Sequence, residues 1–328
     1  MKNKIFHTQD LCLRTNLRCA KDSARMEINM GKTVFMFPGQ GAQYIGMAKD
    51  FYDAIPECRE IFEEASEASG LDIAALCFEE NDKINITEYT QICMLTAEAA
   101  ILRALEVKGY KADVTAGLSL GEYGALIACG ALSRKDAFAL VRKRGIYMQE
   151  AVPEGGAMAA VLALDTAQIE EACKKTEGIV SIANYGEEKA VAAAGELCKE
   201  AGAKRVVPLK VSGPFHSAML KGAGEKLGEE LKHVTVHTPA IPYVANVTAD
   251  YVTKEEDIKP LLEKQVSSSV RWQQTIERLI ADGADKFVEI GPGKTLTGFM
   301  RKINRDVAAV NIDKYEDFEK FVAESKNK

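Results

Sequence analysis

Hydrophobic and polar positions along this chain follow two rhythms, and each change of rhythm marks an element. Thr33 to Phe37 is a short apolar run ended by Pro38-Gly39-Gln40-Gly41, the pattern of a buried strand entering a tight loop. Helical spacing follows through Tyr52 and from Glu57 to Ser69. A longer stretch runs from Gln91 to Lys108, with Ile92, Leu95, Ala99, Leu102 and Leu105 on one stripe and Gly109 as its stop. Val114-Thr115-Ala116 is again apolar and β-branched up to Gly117-Leu118. From Leu120 to Cys129 the apolar residues return to helical spacing until Gly130. Ser133, with Asp136 three positions on, predicts the N-cap of a helix that carries Phe138, Leu140, Val141 and Arg144.

Between Pro153 and Ser212 the alternation shortens. Strands are predicted at Ala157–Leu164, Ile179–Asn184 and Arg205–Val211, with helices at Thr166–Lys175 and Glu187–Ala201, which together read as a compact inserted α+β module. The longer rhythm then returns. Gly213-Pro214-Phe215-His216 turns into a helix to about Leu231, and Ile241–Val247 reads as a strand. Ile258–Gln265 and Trp272–Ala281 read as helices. Lys286–Ile290 is a strand closed by Gly291-Pro292-Gly293, and Lys294–Ile303 and Tyr315–Ser325 are helical. The expected organisation is a large catalytic α/β domain from 31–152 and 213–315, a small domain at 153–212, and a C-terminal helix and tail at 316–328. Residues 1–30 carry no apolar core of a secretory signal and read as a poorly ordered extension. Met26 and Met30 leave open a misplaced start, and a transit peptide fits less well because Asp10, Asp22 and Glu27 interrupt the basic residues.

Composition changes this picture little. At 328 residues the chain is past the size at which one core keeps growing, in keeping with a large and a small domain. A formal charge of −6 without a dense basic run argues against nucleic acid as partner, and no apolar run is long enough to predict a membrane span. The eight cysteines contain no C-x-x-C pair and several fall on apolar helix faces. They read as buried thiols of a reducing, cytoplasmic setting, not as a disulfide frame or zinc site.

The candidate chemistry centres on Gly117-Leu118-Ser119-Leu120-Gly121. A strand, a sharp turn and a helix meet here with Ser119 at the apex of G-x-S-x-G, an arrangement that exposes the hydroxyl and aims helix N-terminal N–H groups at a developing oxyanion. A serine needs a positioned base. Of the four histidines, His7 lies in the extension, and His233 and His237 fall in a polar stretch expected at the surface. His216, in a Gly-Pro turn at a helix start, is the base by elimination. No Asp or Glu is visibly paired with it. Gly293-Lys294-Thr295 is set aside as a phosphate loop, because Val288 stands where the first glycine is required.

Five stretches in order carry a resemblance. They are Phe37-Pro38-Gly39-Gln40-Gly41-Ala42-Gln43, Gly117-Leu118-Ser119-Leu120-Gly121-Glu122-Tyr123, Arg144-Gly145-Ile146-Tyr147-Met148-Gln149, Pro214-Phe215-His216-Ser217 and Glu289-Ile290-Gly291-Pro292-Gly293. Over about residues 31–315 the chain resembles the malonyl-CoA:acyl-carrier-protein transacylases of bacterial type II fatty-acid synthesis. The resemblance implies an α/β-hydrolase-like large domain with a parallel sheet and nucleophile elbow, and a small inserted ferredoxin-like domain. It implies Ser119 as the acylated nucleophile, His216 as base and the Gln265 carbonyl as the group that orients the histidine. The N–H groups of Gln40 and Leu120 would form the oxyanion hole, Arg144 would fork the malonyl carboxylate, and Gln91 and Phe215 would line the site, Phe215 favouring malonyl over methylmalonyl. Malonyl-CoA and acyl carrier protein are the implied partners of a monomer, with no metal or redox cofactor.

Two departures stand out. Leu118 replaces the histidine that often precedes the serine. After Asn184-Tyr185 the family's Asn-Ser-Pro-Gly-Gln-like turn and following strand are missing, so the small domain is expected to lack one strand, with Lys189–Ala194 in a helix. The rival functions are a serine hydrolase or editing thioesterase using water as acceptor, a trans-acting polyketide acyltransferase, and a catalytically dead scaffold that binds carrier protein.

Overall fold

The computed structural model describes residues 31–151, 156–162, 164, 166–177, 186–209 and 215–325. The extension with His7, Cys12 and Cys19, the strand expected at Ile179–Asn184 and the junctions near 153 and 213 lie outside the described residues.

Strand β1 (Lys32–Phe37) is followed by helices α1 (Lys49–Ala54), α2 (Pro56–Ser69) and α3 (Ile73–Phe78), and by the long α4 (Thr87–Val107). Next come β2 (Val114–Gly117), α5 (Gly121–Ala128) and α6 (Arg134–Ala151). Ser133 caps α6 as expected: its Oγ accepts from the Asp136 N–H at 3.1 Å and donates to the Asp136 carboxylate at 2.8 Å. The chain continues through β3 (Gly156–Leu162), α7 (Thr166–Lys175), β4 (Gly186–Glu187), α8 (Glu188–Glu200) and β5 (Arg205–Leu209). It closes with α9 (Lys221–Leu231), β6 (Tyr243–Val244), β7 (Tyr251–Val252), α10 (Glu255–Gln265), α11 (Trp272–Ala281), β8 (Ala284–Ile290), α12 (Thr295–Ile303), β9 (Ala308–Ile312) and α13 (Tyr315–Ser325).

Six strands form one mixed, mostly parallel sheet in the order β7-β6-β2-β1-β8-β9, with only β7 antiparallel to its neighbour. The alternation in β1 explains the layering. Phe35 and Phe37 enter a core with α2, α4 and α6, while Val34 and Met36 face Trp272, Ile276, Leu296 and Met300 on the other side. Both faces of the central strands are therefore buried, as a parallel sheet requires. Helix α4 is buried on almost every side, which its run of small and apolar residues from Ile92 to Leu105 permits. In α13, Phe318 and Phe321 pack into the same core as α4, tying the C-terminal helix to the large sheet.

A second sheet has the order β4-β3-β5, antiparallel throughout among the described residues. Lys189–Ala194 lies within α8. Four short elements, α3, β4, β7 and β9, have no counterpart in the predicted pattern, Glu187 lying in β4 where the start of a helix is predicted, and β6 is two residues long where a seven-residue strand is predicted. The β6 ladder ends early because the chain turns back: the Ala245 N–H donates to the Asp250 carbonyl at 3.1 Å.

Candidate active site

The C-terminal ends of β1, β2 and β6 converge, the position where open α/β sheets place ligands. Ser119 sits between β2 and α5 with φ of 56°, a left-handed conformation that costs a non-glycine residue roughly 1–3 kcal/mol. Gly117 and Gly121 make this turn possible. A Cβ on Gly117 would overlap the Gly121 carbonyl, and a Cβ on Gly121 would overlap the Phe37 carbonyl of β1. The strained backbone is pinned by side chains from distant parts of the chain. Asn246, 1 % exposed just after β6, accepts from the Ser119 N–H at 2.6 Å and donates to the Gly117 carbonyl at 2.6 Å. Its amide stands in for the next peptide of the β2–β6 ladder. The Gln265 side chain donates to the Ser119 carbonyl at 2.7 Å.

The Ser119 hydroxyl lies 2.5 Å from His216 Nε2. His216 Nδ1 faces two backbone carbonyls, Gln265 at 2.9 Å and Ser268 at 3.1 Å. Carbonyls only accept, so Nδ1 carries the proton and Nε2 is left free to accept from the serine hydroxyl. Burial, helped by the nearby Arg144 cation, pulls the His216 pKa down to about 4. The ring is therefore neutral at physiological pH and free to accept a proton at Nε2.

Arg144 projects from α6 and is 1 % exposed. Its guanidinium donates to Gln91 Oε1 at 2.6 Å, Gln265 Oε1 at 3.1 Å and the Ser119 hydroxyl at 3.2 Å, while its Nε has no hydrogen-bond partner among the described residues. Burial lowers its pKa, with Tyr123 and Glu122 acting against that. A buried cation one hydrogen bond from a hydroxyl oxygen, and donating only to neutral oxygens among the described residues, can receive an anionic group beside that hydroxyl.

Gln40 follows β1, where its side chain donates to Thr87 Oγ1 at 3.2 Å and accepts from Gln91 at 3.5 Å. Leu120 opens α5 and is fully buried, and Phe215, directly before His216, is 8 % exposed. The expected residues Gln91, Arg144, Ser119, His216 and Gln265 are joined by direct hydrogen bonds. His233 and His237 are exposed. Asn246, Ser268, Glu122 and the side-chain role of Gln265 are absent from the sequence reading, because each acts across more than 50 residues of chain or through a backbone atom. The Gly293-Lys294-Thr295 turn holds no anion pocket: the Glu289 carboxylate accepts from the N–H groups of Leu296 and Thr297 at 2.9 and 2.8 Å and occupies the start of α12. Among the described residues no cluster of three or more His, Cys, Asp or Glu could hold a metal ion, and no helix is long and apolar enough to cross a membrane.

Comparison with known proteins points to one family. The model of the acyl transferase domain matches residues 34–316. Malonyl CoA-acyl carrier protein transacylase of Bacillus subtilis is 44% identical over 304 residues, covering 88% of this chain and 96% of that protein. The enzyme of the same name from Escherichia coli K12 is 43% identical over 288 residues, covering 84% and 93%. Among solved structures, that of the Streptococcus pneumoniae MCAT superposes with a TM-score of 0.87 at 44% identity, covering 89% of this chain and all of that one. A malonyl-transacylase in complex with its type II PKS acyl-carrier protein gives a TM-score of 0.85 at 37% identity, covering 89% and 99%.

Proposed function

The chain belongs to the acyl transferase domain family, and we propose that it carries a malonyl group from malonyl-CoA, through an ester on Ser119, to the phosphopantetheine thiol of acyl carrier protein in fatty-acid synthesis. The observation that carries this reading is the buried Arg144 guanidinium 3.2 Å from the nucleophilic hydroxyl. A general esterase or editing thioesterase has no use for a desolvated cation at that point, and a scaffold has no use for a Ser119–His216 pair at 2.5 Å.

His216 Nε2 takes the Ser119 proton as Oγ attacks the thioester carbonyl, and the backbone N–H groups of Gln40 and Leu120 receive the oxyanion. Collapse breaks the C–S bond, His216 returns the proton to the coenzyme A thiolate, and the malonyl ester remains. The carrier's thiol then gives its proton to His216 and its sulfur attacks the ester carbonyl; collapse breaks the bond to Ser119 Oγ, His216 returns the proton to that oxygen, and the acyl group leaves on the carrier. Arg144 holds the malonyl carboxylate throughout, with Gln91 and Phe215 at its margins and the Gln265 carbonyl orienting the base. Coenzyme A and the prosthetic thiol enter as substrates, so this chemistry calls on no metal or redox group.

Ser119 stands on a nucleophile elbow of the α/β-hydrolase kind, a reading supported by its left-handed backbone between β2 and α5. Residues 153–212 form a small ferredoxin-like domain short of one strand, supported by the antiparallel β4-β3-β5 order and the immediate start of α8 after β4. The protein is a cytoplasmic monomer in this reading, in keeping with buried free thiols at Cys58, Cys77, Cys93, Cys129 and Cys198.

Incubation with malonyl-CoA should leave a malonyl adduct on the peptide that contains Ser119, and adding carrier protein should discharge it onto the prosthetic thiol. Release of free malonate at the same rate with or without carrier would instead mark a hydrolase. Ser119→Ala should abolish the adduct, and His216→Ala should slow its formation by on the order of 10²–10⁴.

A further inference from the structure

Glu122, in the first turn of α5, points inward and is 1 % exposed. Its Oε2 accepts from the Gln265 side-chain amide at 2.8 Å and from the Asn246 N–H at 3.3 Å, while Oε1 has no hydrogen-bond partner among the described residues. The other end of the same Gln265 amide accepts from Arg144 at 3.1 Å. An ionised carboxylate can only accept, so Glu122 fixes the amide with Nε2 toward itself and Oε1 toward the guanidinium. The reverse orientation would face a donor against Arg144 and an acceptor against Glu122.

The two charges belong together for a second reason. A buried cation without a counter-charge is costly, yet Arg144 donates only to neutral oxygens among the described residues. Glu122 lies one amide away, and its charge acts on the guanidinium. Burial pushes the Glu122 pKa up to about 7, with the bonds from Gln265 and Asn246 and the Arg144 charge holding it down. Above that value it is the anion that offsets the buried guanidinium.

We propose that Glu122 is a positioning and specificity-setting residue: through the Gln265 amide it balances Arg144 and limits how tightly that cation holds a substrate carboxylate. The inference rests on the reading of Arg144 as the malonyl carboxylate site. A malonyl group entering the site meets the guanidinium and the Glu122 anion together. The hold is strong enough to select a carboxylate and weak enough to let the acyl group leave for the next thiol.

The test compares malonyl-CoA with acetyl-CoA, which lacks the carboxylate, at pH 8, where Glu122 is ionised. Arg144→Ala comes first. It should cut malonyl transfer by about 10²-fold or more and lower acetyl transfer by a much smaller factor. Equal losses on both donors would overturn the carboxylate-site reading itself. Glu122→Gln should then lower KM for malonyl-CoA by about threefold or more, raise the malonyl-to-acetyl ratio of kcat/KM, and slow discharge of the malonyl-enzyme. Glu122→Asp, which keeps the charge, should restore the wild-type ratio. If Arg144→Ala behaves as expected but Glu122→Gln lowers both donors by one factor, or raises KM for malonyl-CoA, the role assigned to Glu122 is wrong. Should Glu122→Gln fail to fold, the Arg144→Ala/Glu122→Gln double variant decides. Recovery of folded protein supports a lost counter-charge as the fault, and continued failure overturns it.

Discussion

In the proposed mechanism His216 serves as base because of the carbonyls and the burial around it. Two carbonyls hold its Nδ1 proton, and burial with the Arg144 cation keeps the ring neutral. The sign of the pH dependence follows. The folded pKa, about 4, lies below the ordinary histidine value near 6.5, so between these values the unfolded chain binds more protons than the native one. Stability from this group is present above pH 6.5 and is lost as pH falls toward 4. Acetyl transfer, which does not involve the carboxylate contact, should stay competent as pH is lowered past 6.5 and fall only on approach to pH 4. A midpoint near 6.5 for His216 by NMR titration would contradict the buried-base arrangement. At this scale the sequence was informative where chemistry is local. Ser119 was visible from G-x-S-x-G and His216 from the scarcity of histidines. Asn246 and Glu122 were not visible, since Asn246 reaches Ser119 across 127 residues and Gln265 reaches Glu122 across 143. No spacing rule spans such distances.

Elements long enough to show a period were legible: α6, α7, α11 and α13 lie where the stripes predicted them, and β1, β2 and β8 where the apolar runs did. Short pieces such as α3, β7 and β9 carry too few residues to establish a rhythm, and the seven-residue strand expected at β6 is cut short by a turn that only tertiary pairing reveals. The element that matters most for the site is the β2–α5 turn, whose tightness depends on Gly121 lying against the β1 backbone. Gly121→Ala should destabilise the protein by roughly 1–3 kcal/mol, read as a lower Tm, because backbone must move to admit the methyl. Acylation should fall with it, since the same movement displaces Ser119. Gly222→Ala in α9 is the control. Its Cβ would meet nothing within 4 Å, so the change should be neutral or stabilising by up to about 1 kcal/mol. Equal Tm values for the two variants would show that the turn tolerates the methyl.

On the scale of the whole molecule, the site is assembled from residues between Gln40 and Ser268, and the chain of the small sheet is inserted between two of them, Arg144 on α6 and His216 ahead of α9. The division into a large and a small domain rests on the change of rhythm in the pattern, and its edges near 153 and 213 lie outside the described residues. The consequence of the shortened segment after Tyr185 was readable only in part. The placement of Lys189–Ala194 in α8 follows from alanine's preference for helix and from the stripe that buries Ala194 and Cys198. In the proposed reading, a ferredoxin-like unit without its returning strand would expose a sheet edge and bury less apolar surface, while Ser119 and Arg144 hydrogen-bond to Asn246, Gln91 and Gln265 of the residues around the large sheet. The two halves of the reaction should therefore respond differently to repair. Insertion after Tyr185 of an Asn-Ser-Pro-Gly-Gln-like turn and one strand, about nine residues, should raise Tm and speed transfer from the malonyl-enzyme to carrier protein. Formation of the Ser119 ester from malonyl-CoA should not change. If neither Tm nor transfer rises, the short segment is harmless and the three-stranded unit is sufficient. If ester formation rises as steeply as transfer, the small unit acts on the catalytic cluster itself and not on the encounter with the carrier.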